Sequence, residues 1–139
     1  MAYWLFKSEP NAWSWDDQVA RGARGEQWDG VRNYQARNNM RDMKLGDLGF
    51  FYHSVNEKRI VGVVEVCALA HPDTTTGDPR WECVDIRAVA PFPRPVTLAE
   101  IKAEPRLSEL ALVRHSRLSV VPVSASDWRL ICKMGGYET

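Results

Sequence analysis

Residues Trp28-Asp29-Gly30-Val31-Arg32-Asn33-Tyr34-Gln35-Ala36-Arg37-Asn38 carry the densest chemistry in the chain. An indole offers a flat apolar wall, and Gly30 allows a turn or a close backbone approach. Arg32, Asn33, Gln35, Arg37 and Asn38 supply hydrogen-bond donors. A helix made only for packing would hold more leucine and less asparagine, which is a poor helix former. Two readings follow. One is a solvated helix with Trp28 as a core anchor; the other is a pocket that stacks a flat ligand and reads its edge.

Other chemistry is thinly represented. Asp16 and Asp17 adjoin, but helical neighbours point about 100° apart, so they read as first-turn charges and not as an acid–base pair. His53-Ser54 lacks an evident third group for a nucleophilic constellation. No phosphate-cradling glycine loop is present. Cys67, Cys83 and Cys132 are widely spaced in apolar surroundings and read as buried free thiols of a reducing compartment. With His53, His71 and His115 they show no metal-ligand spacing. No catalytic residue, metal or cofactor is expected.

Charge narrows the partners. Eighteen Lys and Arg balance eighteen Asp and Glu, which argues against non-specific coating of nucleic acid. Residues 21 to 44 nevertheless hold six bases (Arg21, Arg24, Arg32, Arg37, Arg41, Lys44) against three acids (Glu26, Asp29, Asp42), a local excess suited to a phosphate-facing patch. The opening Met1-Ala2-Tyr3-Trp4 does not read as a secretory signal, and no run is long enough to span a bilayer. A soluble cytoplasmic protein (nuclear if eukaryotic) is expected, with no membrane and no obligate protein partner.

The elements that must position these groups are legible from pattern. Tyr3 to Phe6 reads as a first strand, and Ser14 with Asp17 caps a short helix over 15–20 that Gly22 ends. Arg32 to Arg41 reads as a helix. Leu48 to Ser54 reads as a strand with Phe50-Phe51-Tyr52 buried on both sides. Ile60 to Leu69 is the most β-branched run and should be a central strand. After a loop at Pro72 to Pro79, Trp81 to Val89 alternates as another strand, with Val84, Ile86 and Ala88 on one face. Pro91, Pro93 and Pro95 read as an extended connector. Thr97 and Glu100 form a capping box, Arg117 to Val123 a last strand, and Ser124 caps a final helix ended by Gly135-Gly136. The expectation is one α+β domain over residues 1–139, with about five strands in a curved or barrel-like sheet and several short helices.

Lys7-Ser8-Glu9-Pro10, Trp28 to Asn38, Phe51-Tyr52-His53-Ser54 and Arg117-Leu118-Ser119-Val120 stand in this order at strand ends or turns. Together they resemble the EVE domain, a family with a PUA-like fold related to YTH domains and to thymocyte nuclear protein 1. The resemblance runs from about Tyr3 to Met134. It implies a reader of modified bases in DNA or RNA, with an aromatic-lined pocket that accepts a base swung out of its stack.

On that match Trp28 is the stacking wall, a contact worth roughly 1–3 kcal/mol per base. Trp81 is a candidate second wall beside Trp13 and Trp15, with a core role as the rival reading. Ser8 and Glu9 sit where they could meet a base edge. Asn33 could pair with an adenine-type edge or simply cap its helix. His53 and Ser54 close a strand on the pocket side, and His53 reads equally as a satisfied core histidine. Arg32, Arg37 and Arg117 are candidate phosphate contacts, with Lys7 a weaker one and a structural ion pair the alternative for Arg117. Three functions remain open: a non-catalytic reader of DNA or RNA carrying a modified base, an enzyme or small-molecule binder for a nucleoside-like heterocycle, and a general RNA-binding PUA-like module.

Overall fold

The computed structural model describes residues 1–138. In chain order the elements are β1 (Tyr3–Ser8), α1 (Trp15–Ala20), β2 (Glu26–Gln27), α2 (Tyr34–Arg41), β3 (Leu48–His53), β4 (Arg59–Pro72), β5 (Glu82–Thr97), α3 (Leu98–Ala103), α4 (Ala111–Arg114), β6 (Val120–Val123) and α5 (Ala125–Met134), with 3-10 turns at Gly22–Arg24 and Pro105–Leu107. The strands make one mixed six-stranded sheet in the order β2-β5-β4-β3-β1-β6. Only β1 and β3 run parallel.

Both faces of this sheet are covered, which explains the unbroken apolar runs in the sequence. Successive strand residues point to opposite sides, so Leu5 and Phe50 enter one core while Phe6 and Phe51 enter the other. The first core is roofed by α5, where Trp128 stacks on Phe50 at 4.0 Å between ring centroids. The second holds Trp4, Phe6, Trp28 and Phe51 with Ala36 and Met40 of α2. The candidate wall Trp28 sits on this second face, with Trp13 packed against the same core.

Local signals placed the helices well. Ser14 and Asp17 form the capping box of α1, Thr97 and Glu100 that of α3, and Ser124 caps α5. Four expectations need correction: a helix start, a strand start, the proline connector and the burial of Cys67. The helix expected from Arg32 begins at Tyr34, because Asn33 is its N-cap, and the last strand begins at Val120, not Arg117. The proline connector is the second half of β5: Pro91 pairs with Gly62 and Val96 with Ile60, after register shifts that let the strand turn. The expected sheet of about five strands is present, and the two residues Glu26–Gln27 add a sixth at its edge by pairing with Ile86 and Asp85. Cys67 is half-buried, whereas Cys83 and Cys132 are buried.

One glycine fixes the approach to β2. Gly25 has φ +70°, and a Cβ there would lie 2.4 Å from the Ile86 carbonyl oxygen. No other residue fits that turn without displacing β5.

Candidate nucleic-acid interface

A cavity of about 430 Å³ opens beside the second core, lined by Lys7, Ser8 and Glu9 from the end of β1, by Trp13, by residues 26–32, and by Ser119. Trp28 follows β2 directly, where its backbone N–H donates to the Val84 carbonyl at 2.8 Å. The residue is 7% exposed, and its indole meets Phe6 and Phe51 edge-on, at 5.4 and 5.6 Å between centroids. Trp28 is therefore a core residue by packing that also lines the cavity.

Trp13 lines the same cavity and is held from behind. Its Nε1–H donates to Gln18 Oε1 at 2.9 Å, and Gln18 Nε2 donates to the Ile86 carbonyl at 2.9 Å. Gln18 is wholly buried, so this amide bridges sheet and indole and orients the Trp13 ring. Trp15, by contrast, packs away from the cavity against Phe51 and over Gly62.

The loop 28–32 is pinned by Asp73, a buried carboxylate from the β4–β5 connection. Asp73 accepts from the Gly30 N–H at 2.9 Å, from the Thr75 N–H at 2.8 Å, and from Arg32 Nη1 at 3.0 Å. Gly30 carries φ +78°, which frees its N–H to face this carboxylate. Burial alone would raise the Asp73 carboxyl, but the hydrogen bonds from Thr75, Gly30 and Arg32 outweigh it and bring the pKa down to about 2. A depressed carboxylate stabilises the fold above its ordinary value of 3.8, and that contribution disappears as pH falls through about 2. An acid titration of stability should accordingly lose part of its slope between about pH 4 and 2 in Asp73→Asn. An unchanged acid limb would remove Asp73 as the source.

Three carboxylates reach the cavity: Glu9, Glu26 and Asp29. Glu26 is paired with Arg21 at 3.4 Å, and Glu9 accepts from Asn11 at 3.3 Å. Asp29 makes no hydrogen bond or ion pair among the described residues. Partial burial raises its pKa, with Asp73 and Glu26 adding to the effect against Arg32.

The remaining candidates lie apart from this cavity. Asn33 Oδ1 accepts from the Ala36 N–H at 2.9 Å, the capping role. His53 Nε2 accepts from the Trp15 N–H at 3.0 Å, so Nδ1 carries the proton that it shares with Glu57 at 2.9 Å. Ser54 donates its N–H to the Ser8 carbonyl at 2.9 Å, tying the β3 end to the cavity rim. Trp81 stacks on Tyr34 at 5.0 Å, with the Arg32 guanidinium 5.5 Å from its ring centre. Arg37 lies 4.8 Å over Tyr34 and donates to the Arg80 carbonyl at 3.0 Å. Arg117 is exposed and makes no ion pair among the described residues. Burial pushes the Cys83 and Cys132 thiols up to about 12, which leaves them unreactive. No group of three or more metal-ligating side chains occurs among the described residues, and no helix among them is long and apolar enough to cross a membrane.

Sequence reasoning missed Asp73, Gln18 and Asp29. Asp73 had one local signal, the Asp-Thr-Thr turn, but its partner Gly30 is 43 residues away.

Comparison with known proteins places this geometry. The EVE domain family matches residues 2–134. A crystal structure of an Agrobacterium tumefaciens protein is 58% identical with a TM-score of 0.97, covering 99% of this chain and 94% of that one. Human THYN1, crystallised in complex with 5-methylcytosine containing DNA, is 32% identical with a TM-score of 0.91 over 100% of both chains. A YTH domain from Zygosaccharomyces rouxii, solved with N6-methyladenosine RNA, shares the fold at a TM-score of 0.56 and 19% identity, over 99% of this chain and 88% of that one. The curved, unclosed sheet is thus the PUA-like architecture expected from the motifs. The chain belongs to the EVE domain family.

Proposed function

We propose that this chain is a non-catalytic reader of DNA or RNA, taking a flipped, modified base into the cavity beside Trp28. The observation that carries the reading is a cavity of about 430 Å³ bounded by two tryptophans, Trp28 and Trp13, each fixed by packing or by a buried hydrogen bond. Its volume falls within the ~300–1,000 Å³ range of small-ligand sites. A base removed from its stack needs a flat partner for its face and polar groups for its edge. The 5-methylcytosine DNA complex of human THYN1 supports the same class of ligand here.

In this reading Trp28 and Trp13 contact the base faces, and Ser8, Glu9 and Asp29 meet its edge. A carboxylate accepts from an exocyclic amine, the group that distinguishes cytosine and adenine from their keto counterparts. Lys7 and Arg32 stand at the rim, where backbone phosphates would pass. Arg37 lies farther out along the same side, on Tyr34. His53, Ser54 and Asn33 act behind the site, as ties between elements, and Trp81 lies outside the cavity.

Binding should be measured with short DNA and RNA oligonucleotides carrying cytosine or adenine modifications beside unmodified controls, at two salt concentrations. A reader prefers one modification and returns it unchanged by mass spectrometry. Equal affinity across the panel, or a new product, would overturn the proposal. Asp29→Asn sharpens the test, since it sets an amide where a carboxylate accepts. Affinity for the preferred amino-bearing base should drop by roughly 1–3 kcal/mol while the thermal midpoint stays put, because Asp29 is exposed. Unaltered affinity would remove Asp29 from the base edge.

A further inference from the structure

Lys7 and Ser119 line one side of the cavity, and Ser119 directly follows the residues that line a second concavity. The Lys7 N–H donates to the Ser119 carbonyl at 2.8 Å, and its Nζ donates to the Ser116 carbonyl at 2.7 Å. No carboxylate pairs with this ammonium among the described residues, and burial lowers its pKa. Ser116 belongs to the segment between α4 and β6, where residues 114–118 line a hollow of about 340 Å³. Leu118 and Arg114 also line a larger groove of about 1,020 Å³ beside α2, α4 and β6.

Two cations along this path stand unpaired and a third is only loosely paired. Lys7 and Arg117 have no acidic partner among the described residues. Arg114 stands 3.6 Å from Glu109, with both side chains mostly exposed, a geometry worth little. Glu109 is the one carboxylate lining the groove, beside Arg114. Its floor is apolar, from Ala111, Val113, Leu118 and Pro122, and Gln35 stands at its side. A cationic strip leading from a base-sized cavity into an apolar-floored groove matches a polyanionic strand with apolar sugar and base faces.

We infer that the single-stranded segment flanking the flipped base leaves the Trp28 cavity across Lys7 and Arg117 and lies in the groove beside α2, α4 and β6. This rests on the reader proposal for the identity of the cavity ligand. The groove then supplies affinity that grows with strand length and does not depend on the modification.

The test compares trimers with 12-mers, modified and unmodified, against the wild-type chain, Arg114→Glu and Arg114→Lys. Arg114 is exposed and does not line the cavity, so both variants should melt as wild type does. The wild type should bind 12-mers more tightly than trimers. Arg114→Glu should lose about tenfold on 12-mers, with a salt slope shallower by about one, and leave trimer affinity intact. Arg114→Lys should restore the 12-mer. Wild-type 12-mer affinity in Arg114→Glu, or no gain from trimer to 12-mer in the wild type, would overturn the inference. Loss of 12-mer binding in Arg114→Glu without any preference for modified bases would uphold the groove and reject the cavity reading.

Discussion

Trp28→Ala should lower the unfolding free energy by about 3–5 kcal/mol and abolish binding of the modified base. The stability loss follows from the packing. Trp28 is 7% exposed and braced edge-on by Phe6 and Phe51, so its removal opens a void beneath the sheet. Binding and folding effects must then be separated by a second variant. Trp28→Phe keeps an aromatic ring against Phe6 and Phe51 and should retain most of the stability. It presents less surface to a base and should weaken binding about tenfold or more, in line with roughly 1–3 kcal/mol for a stacked base. Denaturant unfolding and oligonucleotide affinity read the two effects independently. Stability within ~0.5 kcal/mol of wild type in Trp28→Ala would contradict the core role, and full affinity in a folded Trp28→Phe would weaken the wall.

Asp73→Ala should be nearly as costly, about 2–4 kcal/mol, although Asp73 does not line the cavity. Its buried carboxylate collects donors from Gly30, Thr75 and Arg32, and of these Arg32 keeps the Val31 carbonyl at 3.0 Å once it is gone. Hydrogen bonds to a charged group are worth about 1.5–3 kcal/mol each. The loop 28–32 would loosen, so the affinity for the base should fall with the stability. Asp73→Asn retains an acceptor for Gly30 but not the charge facing Arg32, and its loss should be smaller. An Asp73→Ala chain as stable as wild type would show that the loop is held by Trp28 packing alone.

What the sequence disclosed depended on how local the causing interaction is. Capping boxes at Ser14–Asp17 and Thr97–Glu100 span three residues, so their readings and the structure coincide. The Phe50-Phe51-Tyr52 run announced a strand buried on both faces, and the structure gives each face its own core. The short strand β2 was invisible because two residues carry no periodicity; it exists only through pairing with Ile86 and Asp85. Proline suggested a connector at Pro91–Pro95, yet a strand accommodates it where bulges shift the register.

The site divides in the same way. Lys7, Ser8, Glu9, Trp28 and Arg32 stood in motifs at strand ends or turns, and all five line one cavity. Asn33, His53 and Ser54 belong to those motifs too, but their polar groups tie elements together behind it. Gln18 and Asp73 escaped notice because an isolated Gln or Asp reads as surface. Burial and partners 68 and 43 residues distant give them their roles.

Indole N–H resonances report directly on whether a modified base enters between Trp28 and Trp13. The six indole signals can be assigned with single Trp→Phe variants and followed while a 5-methylcytosine oligonucleotide, or the modification preferred in the binding panel, is added. Large shifts are expected at Trp28 and Trp13. Trp4, tied to Asp47 at 3.0 Å, and Trp128, on the opposite face of the sheet, should stay in place. Saturable binding that moves Trp81 or Trp128 and leaves Trp28 and Trp13 unmoved would contradict entry of the base between them.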